Sequence, residues 1–319
     1  MKKFLKYTLL IILILILVFV FQNYPVSSDA KDLPRLADTS HVRNSLELIT
    51  ATAAARSYQN TEVLDTVAER IRQEFLKSSG RVSFQTYKVE EKEYRNVIAS
   101  FGPLDGKRII VGAHYDVCGD QAGADDNASG VAALLELANL LKDKSLKYRV
   151  DLVAYTLEEP PYFNTEQMGS YIHAKSLHDA KIPVKGMISI EMIGYYSEDE
   201  NSQDYPVGAM KWIYGNKGDY VTVVQKSFCG SFAKQFKKLS FKNNSLPTKA
   251  FRAPSFFGGI NLSDHKNYWK FGYSAVMVTN TAFFRNHNYH EPTDKLATLN
   301  IPKMAQAIDG VFRTLTQME

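Results

Sequence analysis

Residues 111–116 read Val-Gly-Ala-His-Tyr-Asp, and residues 123–130 read Gly-Ala-Asp-Asp-Asn-Ala-Ser-Gly. The first stretch ends an apolar run with an imidazole and a carboxylate. The second stretch carries another carboxylate, Asp126, just before a strongly apolar helical pattern. A buried strand that ends in ionisable side chains needs partners that offset their desolvation, and a metal ion is the natural partner. The two stretches therefore predict a metal site at a strand end.

Two later apolar runs also lead into carboxylates. The strand predicted over residues 149–157 delivers Glu158 and Glu159, and the strand predicted over residues 186–191 ends at Glu191. In open α/β sheets, ligands bind at the carboxyl ends of the parallel strands. The position of these acids therefore agrees with the site predicted from the opening stretches.

Apolar periodicity predicts strands and helices that alternate along the chain. The predicted strands are 83–89, 96–101, 108–113, 149–157, 186–191 and 273–279, and the predicted helices are 42–52, 62–77, 129–142, 169–178, 221–239 and 301–316. Strands 96–101 and 108–113, joined by Gly102–Gly106, are interpreted as a hairpin. The pattern favours an α/β fold with a mixed, mainly parallel central sheet flanked by helices.

Two polar segments are predicted to form the surroundings of the site. Residues 195–218 are interpreted as an insertion over the site, and residues 247–264 as a long loop that forms a substrate-binding wall. The aromatic residues Phe251, Phe256, Phe257 and Tyr268 favour an apolar pocket or, equally, ordinary core packing.

The candidate ligands are two histidines and several carboxylates: His114, Asp126, one of the pair Glu158-Glu159, Glu191 and His290. This donor set suits two zinc ions that share one carboxylate and activate a water between them. Neighbouring residues at a strand end point in different directions, so the other acid of the pair is free to act as general base. Asp116 is predicted to orient the His114 ring.

Each candidate also has an ordinary structural explanation when it is taken alone. Glu191 could be a solvated acid at a strand end, and His290 could be a surface histidine in a loop. The pair Asp264-His265 could cap a short helix or contact substrate, and an acidic doublet usually lies at a solvated strand end. The metal interpretation depends on the shared position of the carboxylates at predicted strand ends.

The amino terminus has the composition of an export signal. Residues 7–21 are apolar and follow Lys2, Lys3 and Lys6. We predict a signal anchor or cleaved signal peptide over residues 1–25, a linker over 26–36 and a folded domain over 37–319. An uncleaved membrane anchor is favoured, with the domain periplasmic or extracellular; cleavage would give a secreted protein.

Charge and cysteine content exclude two classes of protein. The three amino-terminal lysines account for three of the four net positive charges, which leaves +1 on the remainder. No nucleic-acid-binding surface is therefore expected. Only Cys118 and Cys229 are present, so a disulfide framework is excluded, although one bridge is possible. Because the predicted ligand set is already filled, a packed or bridged Cys118 is favoured over a metal ligand.

The combined motifs resemble the M28 family of zinc metallopeptidases, which includes secreted bacterial aminopeptidases. The resemblance runs from about residue 96 to residue 300. It rests on six segments that follow the family's order: Val111–Asp116, Gly123–Gly130, Leu157–Glu159, Met168–Ser170, Ser263–His265 and Tyr289-His290. It implies the phosphorylase/hydrolase-like fold of zinc aminopeptidases and hydrolysis of peptides with a free amino terminus.

The resemblance also implies roles for individual residues. His114 and Glu191 would bind one zinc ion, Glu159 and His290 the other, and Asp126 would bridge both. Glu158 would be the general base, and Tyr289 is assigned to the oxyanion because it adjoins His290. The chain departs from the family where many members have Asp in place of Glu191, and where Pro160–Gln167 is longer than the usual turn.

Two other functions compete with peptide hydrolysis. Relatives of the family include glutaminyl cyclases, which use one zinc ion to close an amino-terminal glutamine. His114 together with Glu191 favours two ions and therefore the peptidase. The second alternative is a membrane-anchored binding domain that has lost catalysis, but no predicted ligand is missing from this chain.

Overall fold

The computed structural model describes residues 4–8, 10, 23–79 and 81–318. The strands are β1 (Ser27–Ser28), β2 (Val82–Val89), β3 (Lys92–Phe101), β4 (Arg108–His114), β5 (Arg149–Tyr155), β6 (Val184–Glu191), β7 (Val221–Lys226), β8 (Thr248–Ala253) and β9 (Ala275–Thr279). The α-helices are α1 (Thr39–Thr50), α2 (Thr61–Leu76), α3 (Gly130–Leu141), α4 (Gly169–Asp179), α5 (Lys211–Tyr214), α6 (Gly230–Asn243), α7 (His265–Lys270) and α8 (Ile301–Thr316).

The strands form one sheet in the order β1-β8-β7-β9-β6-β4-β5-β3-β2. The four central strands, β9, β6, β4 and β5, are parallel to one another. On one side β3 pairs antiparallel with β5 and β2 antiparallel with β3, and on the other side β7 and β8, parallel to each other, run antiparallel to β9. The predicted fold, a mixed and mainly parallel sheet flanked by helices, is confirmed.

Apolar side chains cover both faces of the sheet. Along β4, Ile109 and Val111 pack into one hydrophobic cluster and Ile110 into another, because successive side chains of a strand point to opposite faces. The first cluster includes residues of α1, α2, α3, α6 and α8, and the second includes residues of α4 and α7. This burial on two faces explains why the central strands read as continuous apolar runs.

The predicted hairpin of β3 and β4 is wrong. Strand β5 lies between them, pairing antiparallel with β3 and parallel with β4. The hairpin is instead formed by β2 and β3, whose register pairs Val89 with Lys92 around Glu90 and Glu91. Glu90 adopts a φ of 54°, a conformation that usually calls for glycine or asparagine, so the turn was not recognisable from residue type.

Two further element predictions are corrected by the structure. Residues 221–239, predicted as one helix, divide into strand β7 and helix α6. The β-branched residues Val221, Thr222, Val223 and Val224 favour a strand, and the helical spacing begins only after Gly230. Residues 247–264, predicted as a loop, begin with strand β8 before the loop proper.

The amino-terminal leader cannot be compared in full with its prediction. Residue 9 and residues 11–22, which make up most of the predicted anchor, lie outside the described residues. Within the described part of the chain, no helix has the length and apolarity required to cross a membrane. Inside the predicted linker, Ser27 and Ser28 pair with β8 at the edge of the sheet.

The close approach of β6 to α6 gives a test of the packing. A Cβ atom on Gly186 would lie 2.2 Å from Cδ1 and Cγ of Phe232, which is buried. We expect Gly186→Ala to lower the free energy of unfolding by about 1–3 kcal/mol, because the ring must shift within a packed core. Gly208→Ala is the control, since in the described chain its added Cβ has no atom within 4 Å beyond those of the local backbone and the two adjoining residues. Urea unfolding that gives equal midpoints for both variants would contradict this packing.

Candidate metal centre

Three adjacent parallel strands bring the predicted acidic and imidazole side chains together. His114 is the last residue of β4, Glu191 is the last residue of β6, and Glu158-Glu159 follow β5. Asp126 enters from the helical turn Ala124–Ser129, which leads into α3. These side chains are nearly inaccessible, with relative exposures of 1% for His114, 2% for Asp126 and 5–6% for the three glutamates.

Asp126 lies at the centre of the cluster. Its Oδ1 is 3.4 Å from His114 Nε2, and its Oδ2 is 3.2 Å from His290 Nε2. His114 Nε2 is also 3.5 Å from Glu191 Oε2, and His290 Nε2 is also 3.2 Å from Glu159 Oε2. The two oxygens of one carboxylate therefore face two different groups of nitrogen and oxygen donors. This is the geometry required of a carboxylate that is shared by two cations.

The hydrogen-bond inventory provides a test of whether metal fits. Among the described residues, nothing forms a hydrogen bond with Asp126 Oδ2, Glu159 Oε1 or His290 Nε2, although all three atoms are buried. A buried polar atom without a partner is costly, so a ligand is expected at this point. Imidazole nitrogen and carboxylate oxygen are donors that zinc prefers. The residues therefore fit zinc.

Burial and mutual contact shift the pKa values of the cluster. Burial raises the pKa of Glu159 to about 8 and also raises the pKa of Glu191. Burial lowers the pKa of His290, but its contacts with Asp126 and Glu159 outweigh this effect and raise it to about 10. The raised pKa values favour protonation of these groups without metal, and binding of cations would release those protons.

The surroundings of His114 leave one ring nitrogen free for a cation. Its Nδ1 lies 3.1 Å from the main-chain carbonyl of Asp116, which fits donation from Nδ1 and leaves Nε2 as the nitrogen that faces Asp126 and would bind a cation. The Asp116 carboxylate is farther from Nδ1, at 3.6 Å. That carboxylate accepts instead from the main-chain amides of Glu158 and Glu159, at 3.2 and 3.1 Å. Asp116 thus contacts both strand ends, orienting the ring through its carbonyl and the acidic pair through its carboxylate.

Glu158 lies beside the two donor groups. Its Oε2 is 3.9 Å from His114 Nε2, and its carboxylate lies within 4.8 Å of ligand atoms of both His114 and Glu159. Burial raises the pKa of Glu158 well above its usual range. A carboxyl group at this position can serve as a general base if it reaches the attacking water.

Tyr289 stacks on the second imidazole. The rings of Tyr289 and His290 lie with centroids 3.8 Å apart at an interplanar angle of 18°. Phe283 contacts the same tyrosine ring, with a centroid distance of 5.4 Å. The stack fixes the orientation of the half-buried His290 and places Tyr289 on the wall of the adjoining cavity.

His290 follows no strand, and a second hydrogen-bond network places it. Asp294 accepts from the main-chain amides of Asp125 and Asp126, at 2.9 and 3.0 Å. Asp125 in turn accepts from the side-chain amides of Asn280 and Asn286, both at 2.8 Å. The loop that carries His290 is therefore tied at both ends to the turn that carries Asp126. Sequence reasoning missed this network, although the doublet Asp125-Asp126 was a signal for it.

Arg56 is a second residue that sequence reasoning missed. Its guanidinium is fully buried and donates to the main-chain carbonyls of Tyr115, Ala122 and Gly123, at 2.8, 2.7 and 3.1 Å. These carbonyls belong to the segment that connects His114 to Asp126. Arg56 therefore fixes the spacing between two of the candidate ligands.

Ser263 and Asn127 hold Glu191 in place. Ser263 Oγ donates to Glu191 Oε2 at 2.6 Å, and the side-chain amide of Asn127 lies 3.4 Å from the same oxygen. Asp264, predicted either to cap α7 or to contact substrate, makes no side-chain capping bond within the described chain. It is fully buried, and burial raises its pKa to about 7.

A cavity of about 260 Å³ opens directly beside Asp126, Glu159 and His290. Its walls come from the predicted insertion over residues 195–218, from β7, β8 and β9, and from the loop before Tyr289. They are mainly apolar and aromatic, and include Tyr205, Met210, Tyr214, Val224, Phe251, Met277 and Phe284. Of the four aromatic residues that suggested a pocket, Phe251 lines it, Phe257 packs against Phe251, Tyr268 is buried in the core and Phe256 is 87% exposed.

The sequence profile of peptidase family M28 matches residues 96–315. The chain belongs to peptidase family M28. It is 43% identical over 290 residues to the protein YfbL of Escherichia coli K12, covering 88% of this chain and 89% of YfbL. It is 26% identical over 228 residues to leucine aminopeptidase 1 of Emericella nidulans, covering 66% of this chain and 52% of that protein. The M28 chain thus spans about half the length of that aminopeptidase.

Solved structures with the same fold include enzymes of two activities. The LapA aminopeptidase of Legionella pneumophila superposes with a TM-score of 0.68 at 20% identity, covering 89% of this chain and 73% of LapA. A glutaminyl cyclase of Bacteroides thetaiotaomicron gives 0.67 at 16% identity, covering 90% and 100%. At such identities the likeness shows the fold alone. Family membership supports zinc as the metal of the M28 domain.

The role of Arg56 is testable by removing its charge while keeping its length. Arg56→Met removes a donor from the carbonyls of Tyr115, Ala122 and Gly123, of which, among the described residues, only Gly123 keeps another, the Ala128 amide. We therefore expect the free energy of unfolding to decrease by about 3 kcal/mol. We also expect zinc affinity to decrease by about tenfold or more, since the segment between His114 and Asp126 loosens. Calorimetry and zinc titration measure the two effects.

Arg70→Met is the matched control for this prediction. Arg70 also donates to main-chain carbonyls, those of Leu48 and Ala51 at 2.9 Å, but it lies on α2 and is partly exposed. Its replacement should reduce stability slightly and leave zinc affinity unchanged. An Arg56→Met protein that binds zinc as tightly as the Arg70→Met protein would refute the positioning role.

Proposed function

We propose that this M28 protein is an aminopeptidase that uses two zinc ions to remove amino-terminal residues from peptides. The observation that carries the proposal is the position of Asp126, whose two carboxylate oxygens face His114 and His290 separately. His114, Asp126 and Glu191 would hold the first ion, and Asp126, Glu159 and His290 the second. When bound, the ions would polarise the substrate carbonyl and make water a stronger nucleophile.

Glu158 is the proposed general base. It adjoins the ligand cluster, with Oε2 3.9 Å from His114 Nε2, and burial raises its pKa well above the usual range. It would accept a proton from the attacking water and return it to the amine that leaves. Asp116 accepts hydrogen bonds from the main-chain amides of residues 158 and 159. It would thereby fix the backbone from which Glu158 acts as base and Glu159 binds metal.

Tyr289 is the proposed donor to the substrate carbonyl oxygen. Burial raises the pKa of its hydroxyl far above neutrality, so the hydroxyl remains protonated and able to donate. Stacking on His290 holds the ring on the cavity wall. A donor that is fixed in advance stabilises the charge that develops on that oxygen in the transition state.

The cavity beside the ligand cluster supports exopeptidase action on bulky apolar residues. Its volume suits one side chain, and Tyr214, Phe251 and Met277 provide a mainly apolar lining. A substrate whose first side chain fills this space would present its first peptide bond to the cluster. We therefore propose that leucine, phenylalanine and similar first residues are preferred over glycine and acidic residues.

Replacing Glu158 separates catalysis from metal binding. We expect Glu158→Gln to reduce kcat by about 100-fold or more while zinc content stays normal, because the amide cannot accept the proton. Glu159→Gln is the matched control at the neighbouring position and should lose zinc as well as activity. Zinc content by mass spectrometry and turnover of a leucyl chromogenic substrate are the measurements. Near-normal turnover by Glu158→Gln would rule out this base.

The proposed pocket is tested by shortening one of its aromatic walls. Phe251→Ala should lower kcat/KM for a phenylalanyl substrate by about tenfold relative to an alanyl substrate, since apolar contact with the ring is lost. Phe256→Ala is the control, because Phe256 lies in the following loop and is 87% exposed. The pocket assignment fails if both variants show the same ratio of kcat/KM values as the unaltered protein.

Glutaminyl cyclisation is the alternative activity, favoured by the fold shared with glutaminyl cyclases. The same samples decide between the two reactions. Two zinc ions per chain with release of free amino acids support the peptidase. One ion per chain with conversion of an amino-terminal glutamine to pyroglutamate supports the cyclase and overturns the proposal. Peptides with a blocked amino terminus should not be cleaved by an aminopeptidase.

A further inference from the structure

Cys118 lies against the second group of candidate ligands. It follows β4 in the segment that Arg56 fixes, and it is partly buried. Its Sγ atom, a carboxylate oxygen of Glu159 and a ring nitrogen of His290 all lie within 4.8 Å of one another. The proposed reaction gives this thiol no role, and it is not bridged to Cys229, the other cysteine of the described chain.

A second observation shows that these three side chains converge on a space that requires a ligand. Glu159 is only 5% exposed, and its Oε1 has no hydrogen-bond partner among the described residues. His290 Nε2 is likewise buried without such a partner in that part of the chain. Zinc bonds of about 2.0–2.3 Å to nitrogen, oxygen and sulfur place tetrahedral ligand atoms about 3.5 Å apart. The three atoms lie within 4.8 Å of one another, so they would have to approach by about 1 Å at most to reach that arrangement.

We propose that Cys118 is a thiolate ligand of the second metal ion, beside Glu159, His290 and Asp126. The inference rests on the proposed two-ion centre and adds a ligand to it. On binding, the thiol releases its proton to solvent and its sulfur forms the bond to the cation. The second position then offers sulfur, nitrogen and two oxygens, whereas the first offers one nitrogen and two oxygens.

The asymmetry has a chemical consequence for metal selection. Thiolate favours soft or borderline cations such as zinc, whereas carboxylate-rich sites also accept harder cations such as manganese. The second position should therefore retain zinc under conditions in which the first exchanges its metal. With Cys118, the second ion would have four protein ligands, whereas the first would have three. The first ion would therefore keep an open coordination position for water.

Cobalt(II) substitution tests the sulfur ligand directly. Bound cobalt gives a sulfur-to-cobalt charge-transfer band in the near ultraviolet only if a thiolate coordinates it. We expect the band in the full-length protein and in Cys229→Ser, and its loss in Cys118→Ser with the visible cobalt bands retained. Cys229 is the matched control because it is buried near α6, beside Gln225. Cobalt binding without the band, or a band that survives Cys118→Ser, overturns the inference.

Protection from alkylation provides a second readout that does not depend on activity. Iodoacetamide followed by mass spectrometry should label Cys118 in metal-free protein, and two equivalents of zinc should suppress the labelling. In His290→Ala, which weakens the second position, zinc should no longer protect Cys118. We also expect Cys118→Ser to weaken the tighter of two zinc-binding steps by about tenfold or more.

The outcomes distinguish this inference from the proposed function. If the unaltered protein binds two ions but shows neither the charge-transfer band nor zinc protection, the Cys118 assignment falls and the two-ion aminopeptidase remains. If the protein binds no zinc or cobalt, both proposals fall. Protection that persists in His290→Ala indicates shielding by the fold and also overturns the Cys118 assignment.

Discussion

Several ionisable groups are buried at one edge of an apolar sheet, and the free energy of their desolvation must be offset by partners. His114, Asp126, Glu158, Glu159 and Glu191 are each at most 6% exposed. Carboxylates in such surroundings either take up protons or require cations, because desolvation disfavours their charged form. Accordingly, burial raises the pKa values of the three glutamates. Among the described residues, Asp126 Oδ2 and Glu159 Oε1 also lack a hydrogen-bond partner. A divalent cation beside each oxygen of the Asp126 carboxylate would neutralise these buried acids.

The main chain around the cluster is fixed by polar side chains that do not themselves face Asp126. Arg56 holds the segment between His114 and Asp126 by its carbonyls, whereas Asp294 holds the turn at Asp126 by its amides. Asp116 holds the acidic pair in the same way. Each contact ends on a backbone group, so these hydrogen bonds restrain the main chain that carries the candidate ligands. Ligand geometry that is set in advance reduces the reorganisation required during reaction.

The sequence predicted the part of the site that follows from strand endings. His114 and Glu191 end apolar runs, and their meeting follows once β4 and β6 are adjacent and parallel. The sequence did not predict contacts that depend on irregular backbone, such as the turn at Glu90 or the anchoring of Asp294 to residues 125 and 126. Arg56 lies in a polar segment without periodicity, so nothing local distinguishes it from a solvated arginine. Strand β7 was misassigned because a short β-branched run was merged with the helix that follows it.

The two halves of the sheet contribute different parts of the candidate site. The parallel strands β4, β5 and β6 end at the ligand cluster, and their helical crossovers fix its spacing. Beyond β9 the strand direction reverses, so β7 and β8 begin, rather than end, at this edge of the sheet. Their first residues, together with the segment over residues 195–218, form the cavity wall through Thr222, Val224, Lys249 and Phe251. Reversal therefore brings the first residues of β7 and β8 to the same edge as the last residues of β4, β5 and β6, so that the cavity wall and the candidate ligands face each other. In the proposed aminopeptidase, β7 and β8 would contribute to substrate preference and β4, β5 and β6 to the metal centre.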